Sequence, residues 1–138
     1  MTTAERETFL AGVHVGVLGV HTDTGCLAIP IWYDYEPGGE ITIITSPDSV
    51  KGRALDATGR FSLCAQTETA PYKYVTVEGA VTGRDTCPPD VNRAMAHRYL
   101  GPEMGDLYVE ATEGDGESTV YRLRPERWFT VDYAKDFA

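Results

Sequence analysis

Short segments of alternating apolar and polar residues, broken by glycine and proline, constrain this chain more than any other feature. Residues 14–20 (HVGVLGV), 26–35 (CLAIPIWYDY) and 40–46 (EITIITS) are rich in β-branched and aromatic side chains. A period of two in such residues marks a strand with one buried face. Pro37, Gly38 and Gly39 supply a turn between the second and third segments, which makes that pair a hairpin. Residues 61–67 (FSLCAQT) and 72–83 (YKYVTVEGAVTG) alternate again, and the longer of the two is expected to bend at Gly79. Residues 106–112 (DLYVEAT) and 118–124 (STVYRLR) flank EGDGE and read as a second hairpin, with 127–133 (RWFTVDY) as a closing strand.

Helices interrupt this pattern. Ser46 is placed to cap a helix that begins at Pro47, where a missing N–H costs nothing, and Gly59 offers a left-handed stop. Residues 87–102 (CPPDVNRAMAHRYLGP) put Val91, Met95 and Tyr99 on one face, with Gly101 and Pro102 as the terminator. About seven strands, with two short helices and one longer one, are too many for one flat sheet in a domain of this size. The expected fold is therefore mainly β (α+β), antiparallel, closed into a small barrel, as a single domain over residues 1–138. The strand spacing is not βαβ, which disfavours a doubly wound sheet. The surplus of apolar strand faces predicts dimerisation through a face of the sheet.

Composition narrows the partners. Twelve Lys and Arg stand against 21 Asp and Glu, a formal net charge of -9, which argues against nucleic acid but leaves room for a single small anion. Residues 1–11 are polar where a secretory signal would be apolar, and no apolar run approaches the roughly 20 residues of a membrane span, so a cytoplasmic location is expected. Cys26, Cys64 and Cys87 show no C-x-x-C spacing and read as reduced, passively packed thiols. Cys64 falls on the Ser62 and Gln66 face of its strand, opposite Phe61, Leu63 and Ala65. His14, His21 and His97 lack a carboxylate or thiolate at ligand spacing, and no metal is expected. The glycines of LAGVHVGVLGV do not follow G-x-G-x-x-G and precede no helix; Gly16 and Gly19 mark a bend or a close backbone approach.

Residues 45–55, TSPDSVKGRAL, place Lys51 and Arg53 just after a strand end in this acidic chain. A solvated helix face, with these cations paired to Asp48 and Asp56, is one reading. The other is an anion site, because the Thr45 and Ser46 hydroxyls and the free N–H groups of the helix start converge there. Two residues along a helix amount to about 200° of rotation. On the second reading Lys51 and Arg53 would therefore serve different parts of a ligand.

A strand bearing PIWYDY, a hairpin to ITIITS, the S-x-K-x-R-x-L helix (Ser49, Lys51, Arg53, Leu55), FSLCAQ and YKYVTVEGAVTG together resemble the pyridoxamine phosphate oxidase-like, FMN-binding split β-barrel superfamily. The lysine-and-arginine helix, the Trp32 strand and the short length are most similar to the actinobacterial flavin/deazaflavin oxidoreductases that use coenzyme F420. The resemblance implies a homodimer with the cofactor in a groove between subunits and its phosphate held near Thr45, Ser46, Ser49 and Lys51. It also implies that Pro30, Ile31 and Trp32 line the ring, that Tyr74 and Trp128 lie at the rim, and that Arg53 serves the anionic tail. The C-terminal segment carries Arg122, Arg124 and Arg127 without the longer arginine-rich end of a vitamin oxidase, and no histidine has a haem-ligand context. The function implied is hydride transfer between F420 and an unsaturated small organic substrate; the alternatives are an FMN-dependent oxidoreductase of this fold and a binding protein without turnover. A proton can come from Tyr33, Tyr35, Tyr74 or solvent.

Overall fold

The structure is a computed structural model in which residues 1–137 are described, with side chains as far as Lys135. Its strands are β1 (Gly16–Thr22), β2 (Gly25–Ile31), β3 (Asp34–Tyr35), β4 (Ile41–Thr45), β5 (Arg60–Gln66), β6 (Lys73–Thr86) and β7 (Thr119–Asp132). The helices are α1 (Thr3–Ala11), α2 (Val50–Thr58) and α3 (Pro89–Thr112), followed by a 3-10 turn, Tyr133–Phe137. Every strand pairing is antiparallel, in the order β2-β1-β5-β6-β7-β4-β3. β2 and β3 stand at opposite ends of that order, yet only Trp32 and Tyr33 separate them in sequence. The chain itself thus carries the sheet round into the expected split barrel. Alternation places Ile41, Ile43, Phe61, Leu63, Ala65, Val75 and Val77 inside, against Leu55 of α2 and Leu123 of β7.

Several elements differ from the sequence expectation. Residues 106–112 are helical, because Gly101 (φ 81, ψ 170) kinks α3 and Pro102 then opens a second helical stretch instead of ending the first. EGDGE is consequently a helix-to-strand loop and not a hairpin. Residues 118–124 and 127–133 merge into β7, since Pro125 sits opposite Gly79 at a bulge where no ladder hydrogen bond is required of it. A Cβ on Gly79 would collide with the Arg124 carbonyl oxygen, so the expected bend falls at a residue that has to be glycine.

The cap of α2 is Ser49, not Ser46, so the helix starts three residues later than Pro47; Gly59 does end it, in the left-handed region (φ 64). α1 went unanticipated, although Thr2 and Glu5 form a capping box: the Glu5 N–H donates to Thr2 Oγ1 (3.1 Å) and the Thr2 N–H to Glu5 Oε1 (2.8 Å). No helix among the described residues is long and apolar enough to cross a membrane.

Candidate functional site

A cleft of about 540 Å³ lies between α3 and the ends of β4 and β6. Antiparallel pairing of β3 with β4 sets Asp34 opposite Thr42, which brings Trp32 alongside Ile44 at one end of the cleft. Thr45 and Ser46, where β4 ends, continue the same wall. α3 contributes Asn92, Arg93, Met95, Tyr108 and Thr112, and the 113–118 loop closes the rim with Glu113, Asp115 and Glu117. The alternation that buries Ile41, Ile43 and Thr45 turns Ile44 outward into the cleft.

The α2 start is built from hydroxyls. Ser49 Oγ donates to the Ser46 carbonyl (2.7 Å), accepts from the Gly52 N–H (3.1 Å), and meets Thr45 Oγ1 at 3.2 Å. Thr45 is only 7% exposed. The Asp48 N–H donates to Ser46 Oγ (3.2 Å), so Thr45, Ser46 and Ser49 form one connected cluster beneath the first helical turn. Gly52 makes this packing possible, because a Cβ there would strike the Ser46 carbonyl. Lys51 is half-buried and Arg53 exposed. Neither has an ion-pair partner among the described residues: Asp56 is bound to Arg84 (3.0 Å), so the expected pairing of the α2 cations with Asp48 and Asp56 is not formed.

The other residues implied by the resemblance are dispersed. Ile31 is buried in the core, while Pro30 is exposed on β2 opposite Val17. Tyr74 lies on β6 between Gln66 and Val131, away from the cleft lining. Trp128 packs beside the core, with its ring under the Arg6 guanidinium (4.5 Å) and edge-on to Tyr35 (6.3 Å). The structure brings Trp32, Thr45 and Ser46 into one cleft, with Ser49 hydrogen-bonded to the latter two, and leaves Lys51, Tyr74 and Trp128 outside its lining. Neither Tyr33 nor Tyr35 faces the cleft as a proton source. Tyr33 is fully buried and donates to the Leu10 carbonyl (2.7 Å), and burial pushes both phenols above their ordinary range.

Aromatic residues of α3 complete the site. Tyr99 stacks on Trp32 at 5.0 Å and 6°, and Tyr108 meets the same indole at 5.2 Å, tilted by 51°. Tyr99 is pinned through its hydroxyl, which donates to the His14 carbonyl (2.6 Å) and accepts from the Tyr33 N–H (2.9 Å). Arg98 donates to the carbonyls of Tyr33 (3.1 Å) and Gly12 (3.0 Å), tying α3 to the β2–β3 crossing. The only sequence signal for this role was the helical face that holds Tyr99.

Cys64 and Cys87 are half-buried as expected, but Cys26 is exposed, since β2 is an edge strand; it lies 3.5 Å from His21 Nδ1. Burial raises the Cys87 thiol above its ordinary range. Among the described residues no group of three or more His, Cys, Asp or Glu side chains is arranged to hold a metal.

No family model matches the sequence, and no curated protein matches it. Solved structures do. The chain is similar to a conserved hypothetical protein from Mycobacterium tuberculosis (TM-score 0.79, 22% identity, covering 100% of this chain and 89% of that one). It is similar to an F420 reductase (0.72, 18%, 89% and 94%) and to a putative pyridoxamine 5'-phosphate oxidase from Listeria innocua (0.64, 9%, 95% and 98%). At these identities the likeness is one of fold: the chain adopts the pyridoxamine phosphate oxidase-like split β-barrel.

Proposed function

We propose that the protein is an oxidoreductase that binds a flavin-type cofactor, with coenzyme F420 favoured over FMN, and transfers a hydride between the deazaflavin and an unsaturated small organic substrate. The observation that carries this reading is one cleft lined by Trp32, Thr45 and Ser46, with the Ser49 cap hydrogen-bonded to Thr45 and Ser46 directly behind it. Its volume lies within the range of about 300–1,000 Å³ common to small-molecule sites. An aromatic wall from Trp32 and Tyr108 beside the β4 end that leads into the α2 cap suits a flat ring joined to a phosphate. Gly52 lets the first turn of α2 pack close against the Ser46 carbonyl, and Lys51 in that turn has no ion-pair partner among the described residues.

Bound there, the cofactor supplies the hydride chemistry. The chain's own residues would hold the phosphate through Ser46, Ser49 and Lys51, with Thr45 buttressing Ser49 from the core side, set the ring plane with Trp32, and limit water with α3. No protein nucleophile is needed; Tyr33, Tyr35 and Tyr74 lie outside the cleft, which leaves solvent and the Tyr108 hydroxyl as the proton sources at hand. Arg53, on the outer side of α2, meets the anionic tail. A homodimer that completes the groove and a cytoplasmic location belong to the same reading.

One observation favours FMN instead: Glu113, Asp115 and Glu117 border the cleft and oppose an oligoglutamate tail on that side. Titrating the purified protein with F420 and with FMN, by absorbance and fluorescence, tests both readings. Tight retention of FMN with no measurable F420 affinity reverses the ranking. Binding of neither removes the assignment.

A further inference from the structure

We propose that Tyr108 is the residue that closes the aromatic end of the cleft over the bound ring and so sets how long a ring is held; this rests on the flavin-type reading above. Trp32 offers the cleft's indole surface, and its two tyrosine neighbours are held very differently. Tyr99 stacks parallel to the indole and is fixed by hydrogen bonds to His14 and Tyr33. Tyr108 touches Trp32 at a tilt, is 40% exposed, and its hydroxyl makes no hydrogen bond among the described residues. A flat ring stacking on Trp32 therefore enters on the Tyr108 side, and the phenol gives way to lie over the ring.

The backbone around Tyr108 suits this. Residues 102–112 form the second stretch of α3 beyond Gly101, whose φ and ψ lie in a region open essentially to glycine. That stretch folds back on the first, with Gly105 against His97, where a Cβ would come within 2.6 Å of His97 Cδ2. Asp106 latches the return, accepting from Arg93 Nη1 (2.5 Å) and meeting His97 Nε2 at 2.7 Å. Tyr108, Val109 and Thr112 then face the cleft, whereas Met104 and Leu107 stay exposed on the outside. A latched helix that carries one unanchored aromatic residue into a ligand cleft holds that residue in place while leaving its ring free to re-orient.

The test is the release rate of F420 and of FMN, followed by stopped-flow fluorescence, from wild type, Tyr108→Ala, Tyr108→Phe, Asp106→Ala and Trp32→Ala, with circular dichroism confirming that each variant is folded. Tyr108→Ala should release either ring about five- to tenfold faster, the scale of one aromatic contact. Tyr108→Phe should stay within about twofold of wild type, because the hydroxyl has no partner to lose. Asp106→Ala, which frees the latch, should move in the same direction as Tyr108→Ala. Unchanged release from Tyr108→Ala, with Trp32→Ala still accelerated, overturns the role of Tyr108 and leaves the flavin-type reading standing. Failure of wild type to bind either cofactor overturns both.

Discussion

Lys51 and Arg53 stand two residues apart on α2, half-buried and exposed respectively, and the helix directs them differently. Replacing Lys51 with alanine should weaken cofactor binding by about 1.5–3 kcal/mol, the size of a charge-assisted hydrogen bond, without disturbing the fold. Arg53→Ala should weaken only a cofactor carrying the long anionic tail. Dissociation constants with the tail present and trimmed decide this, and equal, tail-independent losses would contradict the assigned geometry. Gly52 gives a second residue-level prediction: Gly52→Ala forces the helix start away from the Ser46 carbonyl, at about 1–3 kcal/mol of stability, the scale of overpacking. Cofactor affinity should fall with it, as read by thermal melts and titration side by side; retained affinity and stability would show that the hydroxyl cluster tolerates looser packing. The clustering of the Thr45, Ser46 and Ser49 hydroxyls at the start of α2 was legible because they are neighbours in sequence. Tyr99 and Tyr108 were not, since their contact with Trp32 spans more than sixty residues.

Elements were legible wherever local pattern and tertiary partner agreed. β4 and β5 alternate in burial as their sequences do. Residues 106–112 alternate too, but they find no strand partner and become helix, with Tyr108, Val109 and Thr112 on one side facing the cleft. α1 was overlooked because a T-x-x-E box at a chain start is short and its helix is polar, although it buries Leu10 and presents that residue's carbonyl to Tyr33. Glu5 accepts from Lys135 Nζ (2.9 Å) as well as from the Thr2 N–H, so this carboxylate joins the two ends of the chain. The Lys135 hydrogen bond and then the Thr2 cap lower its pKa from 4.5 to about 2. A carboxyl depressed in the folded state contributes stability above its ordinary pKa, and that contribution is lost as pH falls through the folded value. The end-to-end contact should therefore hold at neutral pH and fray between about 4.5 and about 2, seen as a falling amide protection factor in α1 before the barrel unfolds. Thr2→Ala should fray the same helix at neutral pH and lower stability by about 1 kcal/mol. If α1 protection stays constant across that acid range, the Glu5 contacts do not hold the helix.

The split barrel leaves apolar residues outside. β2 exposes Cys26, Leu27, Ala28 and Pro30, and beside it Val13, Val15 and Val17 are uncovered, with Val17 directly opposite Pro30. β1 and β2 thus present adjoining apolar side chains to solvent, a surface that monomers seldom leave bare and that a second copy can cover across a two-fold axis. The expected solution mass is twice 15.1 kDa, by sedimentation or light scattering at micromolar concentration. Charge acts in the opposite sense, because each copy carries -9 and two copies repel. Salt screens that repulsion over about 10 Å at 0.1 M while leaving apolar burial intact, so the dimer should tighten as salt rises. Cofactor binding depends on local cations such as Lys51 and should weaken under the same change. Val17→Asp places a charge in the centre of the proposed face and should yield monomers whose barrel still melts cooperatively. A wild-type mass of 15.1 kDa at every salt concentration, or a Val17→Asp variant that remains paired, would move the interface elsewhere or remove it.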